Sequence, residues 1–211
     1  MLKRFSIFLL ILLSAASLSA ASDKALSQAD LKTTLSRIAA LNAKTETVSA
    51  DFTSQSTSSL SRRPIESKGK IWLTREGNLR MSLQSDGQTE DFIYKASTSK
   101  VTFITGGTKT ELNDPTGGIG ISIMRVAGPS IGSELLKTYN VSGTQNASSW
   151  ILTLSPKTKP LITMIRKVKV TVSRKNGAVT HLVITMTDGS TTSYRFTNIR
   201  LNSKIPPKTF E

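Results

Sequence analysis

Apolar residues along the chain keep two different rhythms. Leu31, Leu35, Ile38 and Leu41 recur at spacings of four, three and three, the period of an amphipathic helix, and Ser27 stands where its N-cap belongs. From Val48 the period drops to two. Val48, Ala50 and Phe52 predict a strand over Val48 to Gln55, and Glu66 to Leu73 and Asn78 to Gln84 predict two more around Arg75, Glu76 and Gly77. The turn dipeptide Asp86-Gly87 leads to a strand containing Phe92 and Tyr94, and another follows with Val101 and Phe103. Asp114-Pro115-Thr116-Gly117-Gly118 then breaks the rhythm and introduces two short helices, Ile119 to Val126 and Ser130 to Lys137, separated by Gly128-Pro129. Strands return over Tyr139 to Gly143, Trp150 to Leu154, Ile165 to Ser173, Val179 to Met186 and Thr192 to Leu201. Asn176-Gly177 and Asp188-Gly189 mark hairpins between the last three. About ten strands against one long and two short helices predict a mainly β, α+β fold.

Alternation also assigns faces. Val168, Val170 and Val172 point one way and Lys167, Lys169 and Thr171 the other, so the sheet has an apolar side and a wet, basic side. The two short helices are apolar (Ile121, Met124, Val126, Ile131, Leu135, Leu136) and flanked by glycines, which suits either a movable cover or a fixed pair of core helices. An apolar sheet face with a helical cover fits either an apolar ligand held in a curved sheet or an ordinary filled core.

The N-terminus sets the expected compartment. Lys3 and Arg4, the apolar run Ile7 to Leu13 and the small residues Ser19-Ala20-Ala21 predict a secretory signal peptide over residues 1–21, leaving 22–211 as a single domain. With no cysteine, the chain has no disulfide framework and no thiol to carry a lipid, so a soluble exported protein is expected. The net charge of +14 either attracts acidic partners or solubilises the surface; outside the cytoplasm, nucleic acid is not the expected partner. Catalytic equipment is sparse. His181 is the one histidine, no His-Glu-x-x-His helix or Asp-rich loop offers a metal site, and no Gly-x-Ser-x-Gly elbow activates a serine. These features predict a binding protein, not an enzyme, with no metal and no cofactor.

Three stretches carry a resemblance: Ala50-Asp51-Phe52-Thr53, Gly69-Lys70-Ile71-Trp72-Leu73-Thr74-Arg75, and Thr192 to Asn202 (TSYRFTNIRLN). In these, and in the order of its elements, the chain resembles the LolA family of periplasmic outer-membrane lipoprotein carriers, while being more basic and poorer in aromatic residues. The resemblance implies an unclosed antiparallel β-barrel of about 10–11 strands, with helices as a lid over its concave apolar face. It implies a soluble, monomeric periplasmic carrier that takes acylated lipoproteins from an inner-membrane ABC lipoprotein-releasing complex to an outer-membrane acceptor lipoprotein. The alternative within the fold is a module for another amphiphile, such as a glycolipid or polymer intermediate, or for envelope-stress sensing. Arg75 matches the arginine that holds the lid closed; a turn-capping surface arginine is the plainer reading. By alternation and by position in the family order, Leu79, Met81, Leu83, Ile93, Ile121, Met124, Leu135, Val170 and Ile184 are the expected cavity and lid contacts.

Overall fold

A computed structural model describes residues 23–58, 63–85, 87–113, 119–132, 135–159 and 161–211. The predicted signal peptide, Asp86, the Asp114 to Gly118 break and the middle of the Ser130 to Lys137 stretch lie outside the described residues. Among those described, twelve strands form one antiparallel sheet: β1 (Lys24–Ala25), β2 (Thr47–Thr57), β3 (Ile65–Thr74), β4 (Leu79–Ser85), β5 (Gln88–Lys95), β6 (Lys100–Thr105), β7 (Thr108–Asn113), β8 (Tyr139–Gln145), β9 (Ser149–Pro156), β10 (Ile165–Ser173), β11 (Val179–Met186) and β12 (Thr191–Leu201). Their spatial order is β1-β8-β9-β10-β11-β12-β2-β3-β4-β5-β6-β7, so β1 and β7 are edges and the barrel is not closed. Two meanders, β2 to β7 and β8 to β12, are joined at one seam, where Phe52 lies opposite Phe196 and Ser54 opposite Tyr194. Ten of these strands follow the alternation in the sequence. The polar β7 and the two-residue β1 do not, because each pairs on one side only and buries no apolar row of its own.

Helix α1 (Gln28–Leu41) begins as the sequence predicts. The Ser27 Oγ accepts from the Asp30 N–H at 3.1 Å and donates to the Asp30 carboxylate at 2.7 Å, which places a negative charge in the first turn. Its C-cap, Asn42, is buried, and the side-chain Nδ2 donates to the carbonyls of both Ile38 and Gly177 at 3.0 Å. That pins the helix to the β10–β11 turn. A Cβ on Gly177 would stand 2.9 Å from the Leu41 Cβ, and Leu41 itself, at the helix end, is exposed, against the expectation that it packs inward.

Between β7 and β8 the chain forms α2 (Ile119–Met124), a 3-10 turn (Arg125–Ala127) and α3 (Leu135–Thr138); of the second predicted helix, residues 130–132 are not helical and Leu135–Lys137 are. A further short helix, α4 (Leu161–Met164), precedes β10, and a 3-10 turn (Pro207–Phe210) closes the chain.

Candidate functional site

The strand register builds one continuous apolar face on the inside of the curve. Val48, Leu73, Leu79, Tyr94 and Val101 form one row across β2 to β6, and Ala50, Ile71, Met81, Phe92 and Phe103 form the next. On the other side of the seam Phe196, Leu182, Val170 and Leu152 continue the face, with Tyr194 and Ile184 beside them. Helix α1 adds Leu31, Leu35 and Ile38 to the same apolar cluster, and the segment 119–132 adds Ile123, Met124, Val126 and Ile131. That segment forms a cover held by close approaches. A Cβ on Gly132 would stand 2.8 Å from the Ala39 Cβ, one on Gly128 would stand 3.7 Å from the Leu73 Cβ, and one on Gly77 would meet the Arg125 guanidinium at 3.1 Å.

The cover stops partway down the strands. Along β6, Val101 is 4% exposed and Phe103 41%; along β3, Leu73 is 1% exposed and Ile65 58%. Leu83, Phe92, Tyr194 and Met186 are only partly buried. Beyond the cover the concave face is partly open and mixed: Leu83, Phe92, Phe103 and Tyr194 are apolar, with Phe92 and Phe103 edge-on at 5.1 Å between centroids, while Glu90 and Thr105 share the row of Leu83 and Ser54 and Ser67 follow Tyr194. Exposed apolar side chains on the inside of a curve are where an apolar ligand would lie.

Leu79, Met81, Leu83, Val170 and Ile184 lie on this face, and Met124 and Leu135 lie in or beside the cover. Ile93 does not join them. It pairs with Arg80 and Thr102 on the opposite face, and it is buried there near the C-terminal 3-10 turn that Arg80 ties down by donating to the Thr209 carbonyl at 3.0 Å. The reason is parity: Phe92 and Tyr94 take the inward positions, so Ile93 between them faces out. Ile121 falls in α2, and its side chain lies outside the described residues. Arg75 holds a covering helix by its end. The guanidinium donates to the carbonyls of Asn42, Ala43 and Thr45 and to the Glu46 carboxylate at 3.0 Å, a positive charge on the C-terminus of α1, where the helix dipole favours it. The 119–132 segment reaches Arg75 through the Ser130 hydroxyl, which donates to the Arg75 carbonyl at 3.5 Å. Phe92, Phe103, Tyr194 and Asn42 were not singled out from the sequence. The three aromatic residues share the alternation of Leu83 and Ile184; Asn42 carries no such signal.

The outer face is different in kind. A groove there of about 590 Å³ is lined by Thr53, Gln55, Glu66, Lys68, Gln84, Ser193 and Arg195 among others, side chains that suit water and ions and not an alkyl chain. Next to it His181 shares a 2.8 Å hydrogen bond between Nε2 and the Ser193 Oγ. Burial first, then the charges of Arg195 and Lys169, hold the imidazole below its ordinary value of 6.5. The unfolded chain takes up this proton near 6.5 and the folded chain only at lower pH. Stability linked to His181 is therefore complete above about 6.5 and is lost as the pH falls through the depressed folded value. Urea midpoints at about pH 7.5 and about pH 5 should differ less in His181→Gln than in the parent; an equal difference would show that other groups carry the whole effect.

Among the described residues, no helix is long and apolar enough to cross a membrane, and no three His, Cys, Asp or Glu side chains are grouped to hold a metal. Residues 130–211, from the end of the cover through β8 to β12, match the family model for the outer membrane lipoprotein carrier protein LolA. The fold is LolA-type. No curated protein matches the chain in sequence. Solved structures similar to it include a LolA superfamily protein from Nitrosomonas europaea, 8% identical over 86% of this chain and 97% of that one, with a TM-score of 0.47. The lipoprotein LppX from Mycobacterium tuberculosis is 10% identical over 85% and 99%, with a TM-score of 0.48. The MucA/MucB complex of Pseudomonas aeruginosa is 16% identical over 86% of this chain, with a TM-score of 0.44; this chain spans 60% of the chain matched there. In LolA-type terms, the described chain is an open barrel whose cover closes half of its concave face.

Proposed function

We propose that the protein is a non-enzymatic periplasmic carrier of acyl chains, and that its cargo is acylated lipoprotein moving from an inner-membrane ABC releasing complex to an outer-membrane acceptor. The observation that carries this reading is the concave apolar face, continuous from beneath the cover to an exposed end lined by Leu83, Phe92, Phe103 and Tyr194. The match of residues 130–211 to the lipoprotein-carrier model supports it. Each methylene moved from water onto such a face gains about 0.8 kcal/mol, so a chain of ordinary length is held firmly. A carrier must also let go, and the cover provides the means. It rests on α1 and β3 through glycines, while α1 is tied down by the polar contacts of Asn42 and Arg75, which can be exchanged for water.

The test is to add the purified protein to spheroplasts making a tagged outer-membrane lipoprotein and to follow the tag. Release into the soluble fraction as a one-to-one complex is the expected result. A tag that stays with the membrane, while a working carrier releases it alongside, would overturn the lipoprotein reading.

A further inference from the structure

Tyr139, the first residue of β8, is 3% exposed, and its hydroxyl has no hydrogen-bond partner among the described residues. Beside it a cavity of about 220 Å³ opens between the cover segment and the α3–β8 junction, lined by the hydroxyl residues Ser122, Ser130 and Thr138 and by apolar side chains that include Val126 and Leu135. A phenylalanine would fill the same apolar volume with no polar atom to leave unpaired, so packing alone gives no reason for the phenol. Burial pushes the Tyr139 hydroxyl above its ordinary pKa of 10, which keeps it protonated and a donor. In the closed protein the oxygen is buried and has no acceptor among the described residues.

The lining narrows what that acceptor is. Among the described residues that line the cavity Arg125 is the one cation, and its guanidinium is placed against Gly77. A neutral acceptor flanked by hydroxyls on one side and apolar groups on the other describes the junction between the chains and the head of an acylated amphiphile. We propose that Tyr139 donates a hydrogen bond to an ester carbonyl oxygen of the bound ligand when the cover lifts. The inference rests on the acyl-carrier reading and adds to it a specificity for ester-linked chains. It also gives the cover a reason to move, since a ligand with this carbonyl satisfies a donor that has no partner among the described residues of the closed state.

The experiment compares an ester-linked fluorescent diacylglycerol with its dialkyl ether analogue of equal chain length, titrated into the protein and into Tyr139→Phe. The parent should bind the ester about five- to ten-fold tighter than the ether, and Tyr139→Phe should bind both as the parent binds the ether. Equal binding of the two lipids by the parent, or a preference that survives in Tyr139→Phe, overturns the site and leaves the carrier reading standing. Failure of both lipids to bind overturns the carrier reading and the site with it. The empty Tyr139→Phe protein should melt at or above the parent's temperature. A lower melting temperature would show that the hydroxyl already has a partner when the site is empty, and would also overturn the site.

Discussion

Gly69→Ala should destabilise the protein by about 3 kcal/mol or more and lower its melting temperature by roughly 6 °C or more. Gly69 sits in β3 opposite Phe52 and Leu83. A Cβ there would fall 2.0 Å from the Ser82 carbonyl oxygen and 2.8 Å from the Phe52 ring. The first of these is backbone of the neighbouring strand, so a rotamer change cannot relieve it. The second is a buried ring that also meets Tyr194 and Phe196 edge-on across the seam, at centroid distances of 5.7 and 6.5 Å. Moving Phe52 therefore disturbs the contact that joins the two meanders. Calorimetry on the empty protein is the measurement; a change under about 2 °C would mean that β4 shifts freely and that the glycine is not required.

Leu83→Glu should weaken binding of an acyl ligand by about 100-fold or more while costing little stability. Leu83 is on the open half of the concave face and only partly buried, so the empty protein can hydrate the new carboxylate. A bound alkyl chain removes that water, and the desolvated charge has no cation beside it on its face: its neighbours in register are Gly69 and Glu90. The control is one residue away. Gln84 points to the outer face and is exposed, so Gln84→Glu changes the net charge equally and should leave lipid binding as it was. If a lipid titration finds both variants weakened alike, total charge and not the concave face governs binding.

That one-residue contrast also explains what the sequence made legible. Where apolar and polar residues alternate cleanly, as in Leu79-Arg80-Met81-Ser82-Leu83, the inward face can be read directly and the structure agrees. Where three apolar residues stand together, as in Phe92-Ile93-Tyr94, alternation cannot choose. Ile93 was expected inside and lies outside, because neighbouring strands and the C-terminal turn decide the parity. A register shift at Thr171 and Val172 has a similar effect: Val179 turns inward and is buried while His181 keeps the outer position, though the two are evenly spaced in the chain. The resemblance implied that Arg75 holds the lid; its guanidinium lies on the carbonyls at the C-terminal end of α1, a contact that depends on where α1 ends. Tyr139 was not legible at all, since an aromatic residue at the start of a strand reads the same with or without a partner for its hydroxyl.

The seam between β2 and β12 bears on how the chain comes to be folded. Ser56 and Thr192, bonded across it at 3.1 Å, are 136 residues apart in sequence, and no nearer strand offers β2 a partner on that side. Contacts of such long range are slow to form because the intervening loop must be closed before they give anything back. A chain emerging N-terminus first can fold β2 to β7 as a hairpin meander early, but it presents the free edge of β2 and a half-built greasy concavity until β12 arrives. In that interval the molecule is its own most hazardous apolar cargo, and its yield will depend on what shelters that edge more than on the stability of the finished barrel.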